Sequence, residues 1–270
     1  MTNNYRIVVH FDGTDYSGWQ CQKPETRTVQ GELVRVLKII AKQKVMVTGS
    51  SRTDAGVHAT GLVANFHIKI RIEAESMKKA LNSLLPKDIR IMDCQAVDSS
   101  FNARFDARGK VYIYRLFFGQ VCPPAICRFV THIPYPLNVR HMRQSLKYFT
   151  GEKDFSSFTS DDPQKKRIRR VSRLKMKVKG EEILFTVIGK SFLRYMVRNI
   201  VGTIIDVGRG KIDPADIPAI FAAKDRRKAG QTAPARGLTL AEVKYAPGKG
   251  SQTGIKLWER IKRAISGHTG

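Results

Sequence analysis

The sequence predicts an α+β fold made of two halves, and three observations predict it. Segments of period-two apolar alternation recur along the chain, separated by stretches with helical spacing. The two halves pass through strands and helices in a similar order, although no self-similarity in the sequence marks a repeat. Apolar residues make up 42% of the 270 positions, enough for a packed core.

Each element has its own signal. Tyr5, Ile7, Val9 and Phe11 alternate with Arg6, Val8 and His10 as a strand, and Asp12-Gly13-Thr14-Asp15 turns the chain. Val29, Leu33, Val36, Leu37 and Ile40 recur at helical spacing, with Arg35 and Lys38 on the other face. Leu62, Ala64, Phe66, Ile68 and Ile70 alternate as a second strand. Ser76 is placed to cap a helix carrying Met77, Ala80, Leu81 and Leu84, which Pro86 ends. Residues 89–98 fit a further strand. The second half opens with Val111-Tyr112-Ile113-Tyr114-Arg115-Leu116-Phe117-Phe118, rich in β-formers. A helix over 138–149 follows, then a polar loop over 159–167 and strands over 171–179 and 182–189. A long helix fits 191–207. A short one fits 214–223, with Asp213 as cap, Pro214 at its first position and Pro218 tightening or kinking it. A last strand fits 238–245. Residues 246–254 read as a linker, and Leu257, Trp258, Ile261, Ala264 and Ile265 form an apolar stripe on a basic helix. The organisation is therefore an α+β half over 1–105, a second over 106–246, and a basic tail over 247–270. That tail docks on the body, on a partner chain or on RNA.

Charge points to the partner. Lys plus Arg number 48 against 23 Asp plus Glu, a net charge of +25. Such an excess makes a strong positive field and predicts a polyanionic partner, nucleic acid first. The basic residues gather in runs that suit phosphate contacts: Lys165-Lys166-Arg167-Ile168-Arg169-Arg170, Arg226-Arg227-Lys228 and the tail. The first residues lack the apolar stretch of a signal peptide, and no apolar run approaches the roughly 18 residues of a membrane span. Cys21, Cys94, Cys122 and Cys127 form no C-x-x-C pair and have no histidines at zinc spacing, so no metal is expected. Reduced thiols in the cytoplasm are the reading, with a Cys122–Cys127 disulfide across Pro123-Pro124 as the alternative. Residues 49–56 resemble a phosphate loop but lack its Gly-Lys-Ser/Thr end, and neither a G-x-S-x-G elbow nor a His-Glu-x-x-His helix occurs.

The chemistry-bearing candidates are few. Ser50-Ser51-Arg52-Thr53-Asp54-Ala55-Gly56-Val57-His58-Ala59 reads as a polar loop, and Asp54 is the only acid between Glu32 and Glu73. Asp54 is either a turn or cap aspartate or a reacting carboxylate. The neighbouring Arg52 either holds it ionised or makes a surface pair of little worth. Along the predicted helix over 191–207, Arg194 falls within one side of the apolar stripe and Arg198 just beyond it. Such arginines either meet a carboxylate or phosphate or snorkel to water. Tyr112 and Tyr114 share one strand face, which serves as a base-stacking platform or as core.

These motifs together resemble a known family. Ser51 through Ala59 is similar to the signature of the tRNA pseudouridine synthase A family, which reads G-R-T-D-A-G-V-H. Four further segments resemble that family in the same order. They are Phe11 through Gln20; Asn102-Ala103-Arg104-Phe105-Asp106-Ala107 with Lys110-Val111-Tyr112-Ile113-Tyr114; Phe192 through Gly210; and Ala229 through Leu238. The match runs over about residues 5–245, and Ser51 in place of the usual glycine is its main departure.

The resemblance implies two RNA-recognition-like (ferredoxin-like) halves sharing a central, mainly antiparallel sheet with helices on one side. It implies a homodimer acting on tRNA, and isomerisation of uridine to pseudouridine in the anticodon stem-loop at one or more of tRNA positions 38, 39 and 40. Asp54 then matches the essential aspartate and Arg198 the arginine that pairs with it. Tyr112 matches the residue stacked on the target base, Arg52 the arginine tied to base flipping, and Leu238 an apolar wall of the pocket. The isomerisation is redox-neutral, so no cofactor is expected. Two alternatives remain at this stage: a non-catalytic RNA-binding or RNA-folding module on the same scaffold, and a synthase with a different uridine target.

Overall fold

The computed structural model describes residues 2–23, 25–160 and 166–246, and the chain forms two compact units. Unit 1 holds the chain through Arg108 and takes it up again at Leu240, and unit 2 is Gly109–Thr239. Each unit mixes helices with a mainly antiparallel sheet, the expected α+β class. The predicted tail, Lys165, and the linker beyond Ala246 lie outside the described residues.

Unit 1 runs β1 (Asn3–Phe11), α1 (Val29–Ala41), β2 (Val47–Gly49), β3 (His58–Ile68), α2 (Ala74–Leu84) and β4 (Ile89–Val97). β1 lies between β3 and β4, antiparallel to both, and β2 pairs with β3. A central strand is buried on both faces, so even its Arg6 is 2% exposed. That charge is tolerable because Asp93 lies 3.2 Å from it. In α1 the predicted stripe is the buried face, with Ala41 inside where Ile40 is half-buried. Two details differ from expectation. The cap of α2 is Glu73, whose carboxylate accepts the Ser76 N–H at 2.7 Å, so Ser76 is already inside the first turn. β3 begins at His58, because His58-Ala59-Thr60-Gly61 hides its alternation behind small residues, and Ile70 lies beyond its end.

Unit 2 runs β5 (Gly109–Phe117), α3 (Pro124–Cys127), β6 (Thr131–His132), α4 (Val139–Ser145), β7 (Gly151–Asp154), β8 (Ile168–Lys179), β9 (Glu182–Gly189), α5 (Met196–Gly208) and α6 (Ile217–Ala223). Its sheet order is β5-β9-β8-β7, with β6 parallel to β5. A 3₁₀ turn at Pro214–Asp216 passes into α6 at Ile217, so Pro218 falls in the first turn of α6, where proline is tolerated without a kink. The long helix is shorter than predicted. It starts at Met196 because Tyr195 takes a left-handed backbone, φ 59° and ψ 0°. Arg194 therefore stands in the exposed turn before the helix, outside its apolar stripe. Last comes β10 (Leu238–Lys244), whose residues from Leu240 on belong to unit 1, beside β3.

Candidate active site

In unit 1, Asp54 heads a turn between β2 and β3, closed by the Val57 N–H on the Asp54 carbonyl at 3.2 Å. The turn lies on a bed made by residues 12–19. Trp19 N–H donates to the Thr53 carbonyl at 3.2 Å and Gly56 N–H to the Tyr16 carbonyl at 3.2 Å. Gly13 N–H donates to His58 Nδ1 at 3.1 Å. Gly18 is required here twice over: its φ is +91°, and a Cβ on it would stand 2.5 Å from the Thr53 carbonyl oxygen. Tyr16 is fixed in turn by its hydroxyl, which donates to Asp88 at 2.6 Å and accepts from Arg27 at 2.9 Å. Burial, then the Asp88 carboxylate, push this phenol far above its usual pKa, so it remains a neutral donor. The Phe11–Gln20 segment is thus the floor under the Asp54 turn, a relation carried by backbone hydrogen bonds that residue types do not advertise. Asp54 is half-buried and Arg52 exposed.

In unit 2 the two tyrosines of β5 part company. Tyr114 is fully buried, and its hydroxyl hydrogen-bonds Thr131 Oγ1 and the Pro234 carbonyl, the latter at 3.0 Å. It is a core residue that holds the 229–238 segment. Tyr112 is 7% exposed and meets the Phe192 ring edge-on at 5.2 Å. Arg198, in the first turn of α5, exchanges hydrogen bonds with Ala233. Its Nε donates to the Ala233 carbonyl at 2.8 Å, and its own carbonyl accepts the Ala233 N–H at 3.1 Å. Its guanidinium also lies 5.0 Å from the centre of the Tyr195 ring. Leu238 is 5% exposed at the start of β10.

The segment that carries Ala233 is tied to α5 at every step. At Gly202 a Cβ would overlap the Gln231 carbonyl. Gly230 N–H donates to Thr203 Oγ1 at 3.0 Å and Gln231 N–H to Asp206 at 3.1 Å. Asn199, fully buried, accepts from Thr232 Oγ1 at 2.6 Å and from Arg226 at 3.0 Å, while its amide donates to the Phe158 carbonyl at 2.9 Å. Arg226 also donates to Thr232 at 2.9 Å and to the Gly230 carbonyl at 2.9 Å, so its guanidinium braces neutral acceptors. Burial lowers its pKa. Residue type and spacing assign no role to Asn199, Thr232 or Tyr195, and Arg226, expected in a phosphate-contacting run, instead gives its guanidinium to Asn199, Thr232 and Gly230. A polar Asn inside the apolar stripe of α5 was the one signal available.

Asp54 and Arg52 therefore belong to unit 1, and Tyr112, Arg198 and Leu238 to unit 2. Among the described residues, no helix is long and apolar enough to cross a membrane, and no three His, Cys, Asp or Glu side chains gather as metal ligands. The four cysteines are free.

A carboxylate on a braced turn and an arginine tied to a backbone carbonyl are groups that enzyme chemistry can use. The family profile described as tRNA pseudouridine synthase matches residues 7–106 and 146–246, and the chain belongs to that family of isomerases. Among its relatives, the "tRNA pseudouridine synthase A" of Caldicellulosiruptor saccharolyticus is 42% identical over 243 residues, which cover 90% of this chain and 99% of the relative. The protein of the same name from Brevibacillus brevis is 44% identical over 241 residues, covering 89% and 98%. That from Geobacillus kaustophilus is 42% identical over 247 residues, covering 91% and 95%.

Proposed function

We propose that the protein isomerises uridine to pseudouridine in the anticodon stem-loop of tRNA, at one or more of positions 38, 39 and 40, with Asp54 as the reacting group. The observation that carries this is the placement of Asp54. In a chain belonging to the tRNA pseudouridine synthase family, the single acid of a long basic stretch heads a turn pinned by three hydrogen bonds to the 12–19 segment.

The reaction breaks the C1′–N1 bond, forms C1′–C5 with the same uracil, and moves the C5 proton to solvent while N1 gains one. Atoms and electrons balance without a redox partner. Three routes are open to a carboxylate: attack on C1′, attack on C6, or removal of the 2′ proton. All begin with ionised Asp54, for which the family resemblance implies Arg198 as the pairing cation. The target base leaves its stack to be rotated. Stacking against Tyr112 returns about 1–3 kcal/mol of the lost interaction. Leu238 lines the pocket, and exposed Arg52 fills the space the base vacates or holds a phosphate.

The protein acts as a homodimer in the cytoplasm. A monomer by light scattering that still modified tRNA fully would contradict the dimer. The target is tested by mapping pseudouridine across total RNA from cells with and without the gene. Loss confined to positions 38–40 of tRNAs is expected. Loss at other uridines would give the enzyme a different target, and no loss anywhere would return it to an RNA-binding role.

A further inference from the structure

We propose that Tyr195 is a positioning residue for the reaction, its ring being the wall that orients the Arg198 guanidinium. The proposal rests on the role given to Arg198 above. Three non-glycine residues among those described have positive φ: Lys42, Tyr195 and Lys224. Lys42 and Lys224 follow α1 and α6, where a left-handed residue is a common way to end a helix. Tyr195 precedes a helix, where the usual backbone is extended, and its side chain makes no capping hydrogen bond. Helix capping therefore gives no reason for the strain. Glycine or asparagine would take this backbone more readily.

The ring carried on this strained backbone meets two cations. Arg194 Cζ lies 4.8 Å from the ring centre and Arg198 Cζ lies 5.0 Å from it. The Tyr195 hydroxyl accepts from Arg194 at 3.1 Å. For Arg198 the ring adds a second constraint to the bond between its Nε and the Ala233 carbonyl at 2.8 Å. The two contacts together hold the guanidinium in place. A long side chain held in this way has already lost the rotamer freedom it would otherwise lose in the reacting complex. Local strain that persists because the surroundings impose it is a mark of such sites.

The test compares Tyr195→Gly, Tyr195→Asn and Tyr195→Phe with wild type and with Arg198→Ala. Single-turnover pseudouridine formation at saturating tRNA, tRNA affinity and the thermal midpoint are measured for each. Gly and Asn relieve the backbone and remove the ring. Each should slow the reaction about tenfold, the size of a partly desolvated cation–π contact. Affinity should stay within about twofold of wild type and the midpoint within a few degrees. Neither should slow Arg198→Ala further, and Phe should recover most of the rate. A folded Gly or Asn variant at wild-type rate, a loss confined to affinity, or Phe as slow as Gly would overturn the proposal. So would unfolding of both Gly and Asn variants, which would make Tyr195 structural. Wild-type rate in Arg198→Ala would instead remove the premise, and the proposal with it.

Discussion

Tyr112 and Tyr114 lie two residues apart on the same face of β5, yet only surroundings decide their work. Tyr114 spends its hydroxyl on Thr131 and Pro234 inside the core, whereas the Tyr112 ring packs against Phe192. Residue type and spacing favoured core packing but left a stacking platform open, because both need an aromatic on a strand. Asp54 was more legible, since a lone acid among cations is conspicuous in sequence. His10 on β1 offers a test at this scale. Burial lowers its imidazole pKa from 6.5 to about 4, against an opposing hydrogen bond with the Thr60 backbone. Its folded pKa lies below its unfolded one, so the unfolded chain takes up the proton first as pH falls. The stability His10 contributes is complete above about pH 6.5 and is lost progressively as pH falls to about 4. The loss is on the order of 3 kcal/mol. In urea unfolding, His10→Gln should show a flatter pH dependence than wild type over that window. Parallel curves would show that His10 does not carry the effect.

At the scale of elements, legibility followed length and periodicity. β9 was read from 182 to 189, where the structure has it, because Ile183-Leu184-Phe185-Thr186-Val187-Ile188 is a compact run of β-formers bounded by glycines. β2, with three residues, and β6, with two, are too short to show a period. The start of α5 was misread because Leu193 is buried like a helical stripe residue while the Tyr195 backbone turns left-handed beside it. Nothing in the side-chain pattern announces a positive φ at a tyrosine. The bed under Asp54 was hidden for a related reason. Trp19, Gly13 and Gly56 act there through their backbone N–H groups, so the motif around residue 12 resembled a family segment without revealing what it supports. The ties between α5 and the 229–238 segment likewise depend on Asn199, Thr203, Thr232 and Arg226 meeting across 4 to 33 positions of sequence.

At the scale of the whole molecule, the net charge of +25 and the single carboxylate of the Asp54 turn do different things. The positive field gathers tRNA, with an affinity that falls as salt rises and carries little sequence information. Removing one negative charge from so basic a chain scarcely alters that attraction. In the proposed reaction, by contrast, the chemistry rests on one ionised carboxylate, Asp54. The most direct measurement is therefore pseudouridine formation in tRNA by wild type and by Asp54→Asn, with tRNA affinity and thermal midpoint measured beside it. Wild-type binding and folding with no pseudouridine in the variant is the predicted result. Full pseudouridine in the anticodon stem-loop with folded Asp54→Asn would contradict the account.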